Sequence, residues 1–110
     1  MGGSVSSALK NSVETQIVDE KVLIYSKSYC PYCEQTKQCL SEGQVAAKII
    51  ELDQVNDGAK IQDCLKQLSG QKTVPYVYIN GNLIGGNSDL QQIRSNGQLK
   101  TILDSANIFN

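Results

Sequence analysis

Two cysteines, Cys30 and Cys33, stand two residues apart where an apolar run gives way to a polar one, and this pair constrains the chain more than any other feature. Val22-Leu23-Ile24-Tyr25 leads into Ser26-Lys27-Ser28-Tyr29-Cys30-Pro31-Tyr32-Cys33, and residues 34–42 beyond it are polar and rich in helix formers. That order predicts strand, tight turn, helix, with Cys30 at the turn. Pro31 suits the first helical turn, where its missing N–H would have no partner anyway. Cys33 falls almost one helical turn on, where its sulfur can close back on Cys30.

A Cys-x-x-Cys pair so placed predicts redox chemistry. A thiolate, not a thiol, attacks a disulfide, so the leading cysteine must ionise near neutral pH. At a helix start it faces unpaired backbone N–H groups and the positive end of the helix dipole, and both favour an anion. Lys27 adds positive charge close in sequence. Cysteines in such settings have pKa values of roughly 3.5–7.5, against about 8.5 for a free thiol. Cys30 is therefore the expected nucleophile and Cys33 the buried resolving partner.

Two plainer explanations compete. Half of a zinc site is one, but zinc wants four ligands; the chain has no histidine, and Cys39 and Cys64 form no second Cys-x-x-Cys. No metal is expected. A structural disulfide is the other. Such bridges belong to exported chains, and the N-terminus lacks the basic-then-apolar pattern of a signal peptide.

A chain of 110 residues predicts one domain over 1–110, with a leader and helix in 1–20 and the core in 21–106. A net charge of −1 with scattered lysines argues against nucleic acid as a main partner. No apolar run approaches the roughly 18 residues of a membrane span. Four cysteines and no export signal point to working thiols in a cytoplasmic, reducing setting. Met1-Gly2-Gly3-Ser4-Val5-Ser6 fits the pattern for N-myristoylation at Gly2, although glycine-serine starts also arise as flexible leaders. Membrane attachment is expected only if Gly2 is acylated, and one acyl chain gives only marginal attachment.

Along the chain, Val5, Leu9, Val13 and Ile17 recur every four residues and predict an amphipathic helix over 4–20 that packs on the core. Strands are predicted at 21–26 and 45–52, the first a continuous apolar run covered on both faces. The helix after the cysteines ends near Gly43. Asn56-Asp57-Gly58 supplies a turn and a helix cap. Ile61, Cys64, Leu65 and Leu68 then form a helical face closed by Ser69-Gly70. Cys64 belongs to that face as a small core residue, whereas Cys39 could be an exposed thiol open to oxidation or a second adduct. A third strand is predicted over 73–79, with Pro75 marking its start or an edge. Asn80-Gly81 is a hairpin signal leading to a fourth strand over 82–85. Gly85-Gly86-Asn87-Ser88-Asp89 breaks the chain and caps a helix from about Leu90, and a last helix turns Leu99, Ile102, Leu103 and Ala106 inward.

With Cys30-Pro31-Tyr32-Cys33, Thr73-Val74-Pro75 and Gly85-Gly86-Asn87-Ser88-Asp89 in that order, the sequence resembles the dithiol glutaredoxins from about Val22 to Leu103. The resemblance implies an α/β thioredoxin fold: a four-stranded mixed sheet flanked by about five helices. It also implies a groove for glutathione, a tripeptide with two carboxylates and an ammonium. By that likeness, Pro75 is cis and frees the Val74 backbone to pair with the cysteinyl residue like an added strand. Backbone N–H groups at Ser88 and Asp89, with Gly86 beside them, hold the γ-glutamyl carboxylate. The Asp89 carboxylate takes the ammonium. Lys27, Tyr32 and Gln71 handle the glycyl end, with Lys72 as the alternative to the uncharged Gln71, and Thr73 belongs to the binding turn with Val74 and Pro75.

The activity so implied is reduction of protein–glutathione mixed disulfides and protein disulfides by a monomer, with glutathione as co-substrate. A rival is iron–sulfur cluster binding by a dimer, bridged through Cys30 and two bound glutathiones. Pro31 argues against it, because it stiffens the turn and removes a backbone donor. A thiol module that only binds a partner is a third possibility.

Overall fold

The computed structural model describes residues 6–108. Gly2, with its acylation pattern, and Val5 lie outside the described residues. Nine elements follow one another: α1 (Ser7–Asp19), β1 (Val22–Ser26), α2 (Pro31–Glu42), β2 (Lys48–Glu51), α3 (Gly58–Ser69), β3 (Tyr76–Ile79), β4 (Asn82–Gly85), α4 (Asn87–Ser95) and α5 (Gln98–Ser105). The strands form one sheet in the order β2-β1-β3-β4, with β1 parallel to β2 and both other pairings antiparallel. This is the expected mixed sheet with five helices.

Strand parity builds the core. In β1, Val22 and Ile24 join one cluster while Leu23 and Tyr25 join the other; in β3, Val77 and Ile79 oppose Tyr76 and Tyr78 in the same way. One face carries α2, α4 and α5 through Leu40, Leu90, Leu99 and Leu103. The other carries α1 and α3 through Val13, Ile17, Cys64 and Leu65. Both faces of β1 are therefore covered, which explains its unbroken apolar run. Tyr25 and Tyr78 meet edge to face, with ring centroids 6.4 Å apart. The Tyr25 hydroxyl donates to Gln16 Oε1 at 2.8 Å, so burial of the ring leaves no orphaned polar atom.

Several boundaries differ from the sequence-based expectation. The second strand holds only Lys48–Glu51, because Val45 turns into the core as part of the connection and β2 is a short edge strand. The third begins after Pro75, which has no N–H for the ladder. Asp57 precedes α3 with φ 60° and makes no side-chain cap; its carboxylate lies 4.0 Å from Lys60 Nζ. Gly58 opens α3 because the chain there packs tightly on the backbone just past β2: a Cβ would lie 1.7 Å from Leu52 O. Helix α4 starts at Asn87, three residues before Leu90. Leu68 stays 36% exposed although it shares the α3 face.

Candidate active site

Cys30 occupies the N-cap of α2 with extended dihedrals, and Pro31 takes the first helical position. The turn is closed by Cys30 N–H donating to Lys27 O at 3.1 Å, and the helix by Glu34 N–H donating to Cys30 O at 3.1 Å. The loop before it is tied across the sheet end. Ser28 N–H donates to Asp53 Oδ1 at 3.0 Å, and the Ser28 hydroxyl donates to the other oxygen of the same carboxylate. These bonds hold the Asp53 carboxyl below its ordinary value. The Ser28–Asp53 clamp was invisible in sequence, since nothing local links residues so far apart.

The two sulfurs sit in unequal settings. Cys30 is partly exposed, whereas Cys33 is fully buried beneath it. Burial pushes the Cys33 thiol up, partly offset by the Lys27 backbone; the Cys30 and Ser26 side chains are also within hydrogen-bonding reach. A protonated, sheltered Cys33 beside an accessible Cys30 at a helix N-terminus is the asymmetry that a nucleophile and its resolving partner require.

Beside the pair runs an open groove of about 430 Å³. Tyr32, 63% exposed, forms one wall from α2. Gln71, Thr73, Val74 and Pro75 form a second, and Gly86, Asn87, Ser88 and Asp89 close the third at the start of α4. The Val74–Pro75 bond is cis. Register explains the convergence: Tyr25 pairs with Tyr76 in adjacent antiparallel strands, so the loop leaving β1 and the loop entering β3 emerge at one end of the sheet. Asp89 Oδ2 accepts from Gly86 N–H at 3.0 Å. Gly85, at φ 124°, has to be glycine, because a Cβ there would lie 2.2 Å from that same oxygen.

Eight of the nine residues expected to bind the tripeptide line this groove. Lys27 is the exception: it lies half-buried in the clamped loop, and its charge is felt at Asp53. Asn87, inside the Gly85–Asp89 stretch but outside the residues expected to bind, also lines the groove. Its burial, which sets it apart from an ordinary surface asparagine, appears only in the folded chain. Cys39 is not an exposed thiol. It is 3% exposed in the core under α2, and burial pushes its thiol up, with Arg94 pulling the other way. Cys64 is a core residue as expected.

The family model for glutaredoxin matches residues 22–84. The chain belongs to the glutaredoxin family. Glutaredoxin-1 of Saccharomyces cerevisiae is 38% identical over 104 residues, covering 91% of this chain and 94% of that protein. A chloroplastic monothiol glutaredoxin-S12 of Arabidopsis thaliana is 40% identical over 94% of this chain, which spans only 59% of that longer protein. Among solved structures, a buckwheat glutaredoxin–glutathione complex superimposes with a TM-score of 0.87 at 29% identity, covering 96% of this chain and 99% of that one. As a glutaredoxin, the chain is a glutathione-dependent thiol–disulfide oxidoreductase.

Proposed function

We propose that this glutaredoxin reduces protein–glutathione mixed disulfides through Cys30, with Cys33 resolving and the groove beside them holding glutathione. The accessible Cys30 above a buried, protonated Cys33 carries the assignment of roles. Cys30 thiolate attacks the glutathione sulfur of the mixed disulfide; that S–S bond breaks and the protein sulfur leaves as a thiolate that takes up a proton. A second glutathione thiolate then attacks the glutathione sulfur of the Cys30 adduct, releasing glutathione disulfide and restoring Cys30. Alternatively, Cys33 loses its proton and displaces glutathione from Cys30, forming a Cys30–Cys33 disulfide; this exit serves reduction of protein disulfides.

The groove matches the tripeptide group by group. The opening turn of α4 offers backbone N–H groups at Ser88 and Asp89 to the γ-glutamyl carboxylate. Asp89 spends one oxygen on Gly86 and offers the other to the ammonium. The Val74 backbone pairs with the cysteinyl residue, and Lys27 or Lys72 supplies a cation for the glycyl carboxylate. We place the enzyme in the cytoplasm, acting as a monomer on glutathionylated or disulfide-bearing proteins; a membrane role requires acylated Gly2. Two substitutions test the roles. Cys30→Ser should abolish both activities, and Cys33→Ser should spare removal of glutathione while losing most disulfide reduction. Retained deglutathionylation in Cys30→Ser would exclude the assigned nucleophile.

A further inference from the structure

We propose that Gln71 is a positioning residue: its side-chain amide holds the 73–75 loop in the shape that glutathione reads, and it does not itself grip the glycyl carboxylate. The inference rests on the glutathione groove proposed above. Gln71 Nε2 donates to Thr73 O at 2.8 Å and to Pro75 O at 2.8 Å. A primary amide carries two N–H bonds. Both are spent on the loop, so the amide has only its oxygen left to offer the groove. An ionised carboxylate is acceptor-only and gains nothing from another acceptor.

The backbone of Gln71 is held as firmly as its side chain. Its N–H donates to Ser69 Oγ at 3.0 Å, and that hydroxyl donates to Leu65 O at 2.7 Å, inside α3. Its carbonyl accepts from the Tyr76 hydroxyl at 2.8 Å, and the Tyr76 side chain is fully buried at the first position of β3. Gln71 thus bridges the end of α3 and the start of β3, two elements anchored in the core. Drawing the carbonyls of Thr73 and Pro75 to one nitrogen fixes the residue between them, Val74, whose backbone is the proposed pairing edge for the ligand. The same nitrogen faces the opposite wall, since a Cβ on Gly86 would lie 3.8 Å from it. One amide therefore sets the form of the loop where it faces the start of α4.

The test compares glutathione with its glycine amide as the reducing co-substrate for a small glutathione mixed disulfide, in the full chain. Gln71→Met keeps the side-chain length and removes the donors. It should raise KM for both thiols by the same factor, about tenfold, with kcat nearly unchanged. Hydrogen exchange at the Thr73 and Val74 amides should quicken. Gln71→Arg, which keeps N–H donors, should restore most of the affinity, again equally for both thiols; should Gln71→Met fold poorly, this variant alone carries the comparison. A penalty seen with glutathione and absent with the amide would overturn the proposal, as would a gain from Gln71→Arg confined to glutathione or an unchanged KM in Gln71→Met. Wild-type protein that turns over neither thiol would bring down the groove assignment itself, and the brace with it.

Discussion

Thr36 Oγ1 donates to Asn87 Oδ1 at 3.0 Å, joining the middle of α2 to the first residue of α4 where neither side chain meets appreciable solvent. Asn87 also accepts from Gln91 Nε2 at 3.2 Å and donates to Gln35 Oε1 at 2.9 Å. Helix α2 carries Cys30 at its start, and α4 opens the wall proposed for the γ-glutamyl carboxylate. The buried pair therefore fixes the separation between the reacting sulfur and the anion-holding turn.

Thr36→Val keeps the shape and removes the donor. A stability loss of about 1 kcal/mol is expected, a fall in Tm of roughly 4–8 °C for a domain of this size. KM for glutathione should rise with it. Thermal melting and steady-state kinetics on one preparation check both, and a lowered Tm with unchanged KM would reduce the pair to a packing role.

Gly85→Ala should damage binding more than folding. Its methyl would strike the Asp89 carboxylate and hold alanine at positive φ. The displaced Asp89 loses its bond to Gly86 and its proposed grip on the ammonium. KM for glutathione should rise by about tenfold or more, the scale of a lost charge-assisted hydrogen bond. Gly86→Ala meets only ordinary contacts at 3.7 and 3.8 Å and should fold normally.

The two exits from the Cys30 adduct should separate with pH. Burial holds the Cys33 thiol above its ordinary value, so little of it is thiolate at neutrality and the fraction climbs as pH rises. Reduction of a protein disulfide, which needs Cys33, should therefore gain on deglutathionylation as pH increases. Measuring both rates across roughly pH 6–9 tests this. A constant ratio would mean that Cys33 ionisation does not limit the dithiol route.

Alkaline solution should unfold the protein early. Burial raises the tyrosines Tyr25, Tyr76 and Tyr78 and the thiols Cys33, Cys39 and Cys64. For groups whose folded pKa is raised, the stabilisation is complete below the unfolded value and is lost as pH climbs through the folded one. The decline should begin near the unfolded thiol value of about 8.5 and steepen near that of tyrosine, about 10. Denaturant midpoints read against pH check the onset; a flat profile to pH 11 or so would contradict it.

Much of this was legible in the chain because the signals were local. The cysteine pair after an apolar run, the Asn80-Gly81 turn and the glycine-rich break before α4 each fix their own backbone. Boundaries slipped where tertiary contacts decide: Val45 reads as strand yet packs as a connection, and Asp57 reads as a cap yet turns the chain with positive φ. The fate of Cys39 depended on what α4 and α5 lay over it, which no window of sequence contains. In the sequence, Gln71 shows only what its amide could offer a ligand. Its use by neighbouring carbonyls appears only once the loop has closed around it.

Pairing of Tyr25 with Tyr76 seats the reactive sulfur and the recognition loop on adjoining struts of a single rigid frame, though 45 or so positions separate them along the chain. Changes in the amino acids of one loop leave the footing of the other in place. Preference for different client proteins can accordingly drift at the rim while the chemistry keeps its seat.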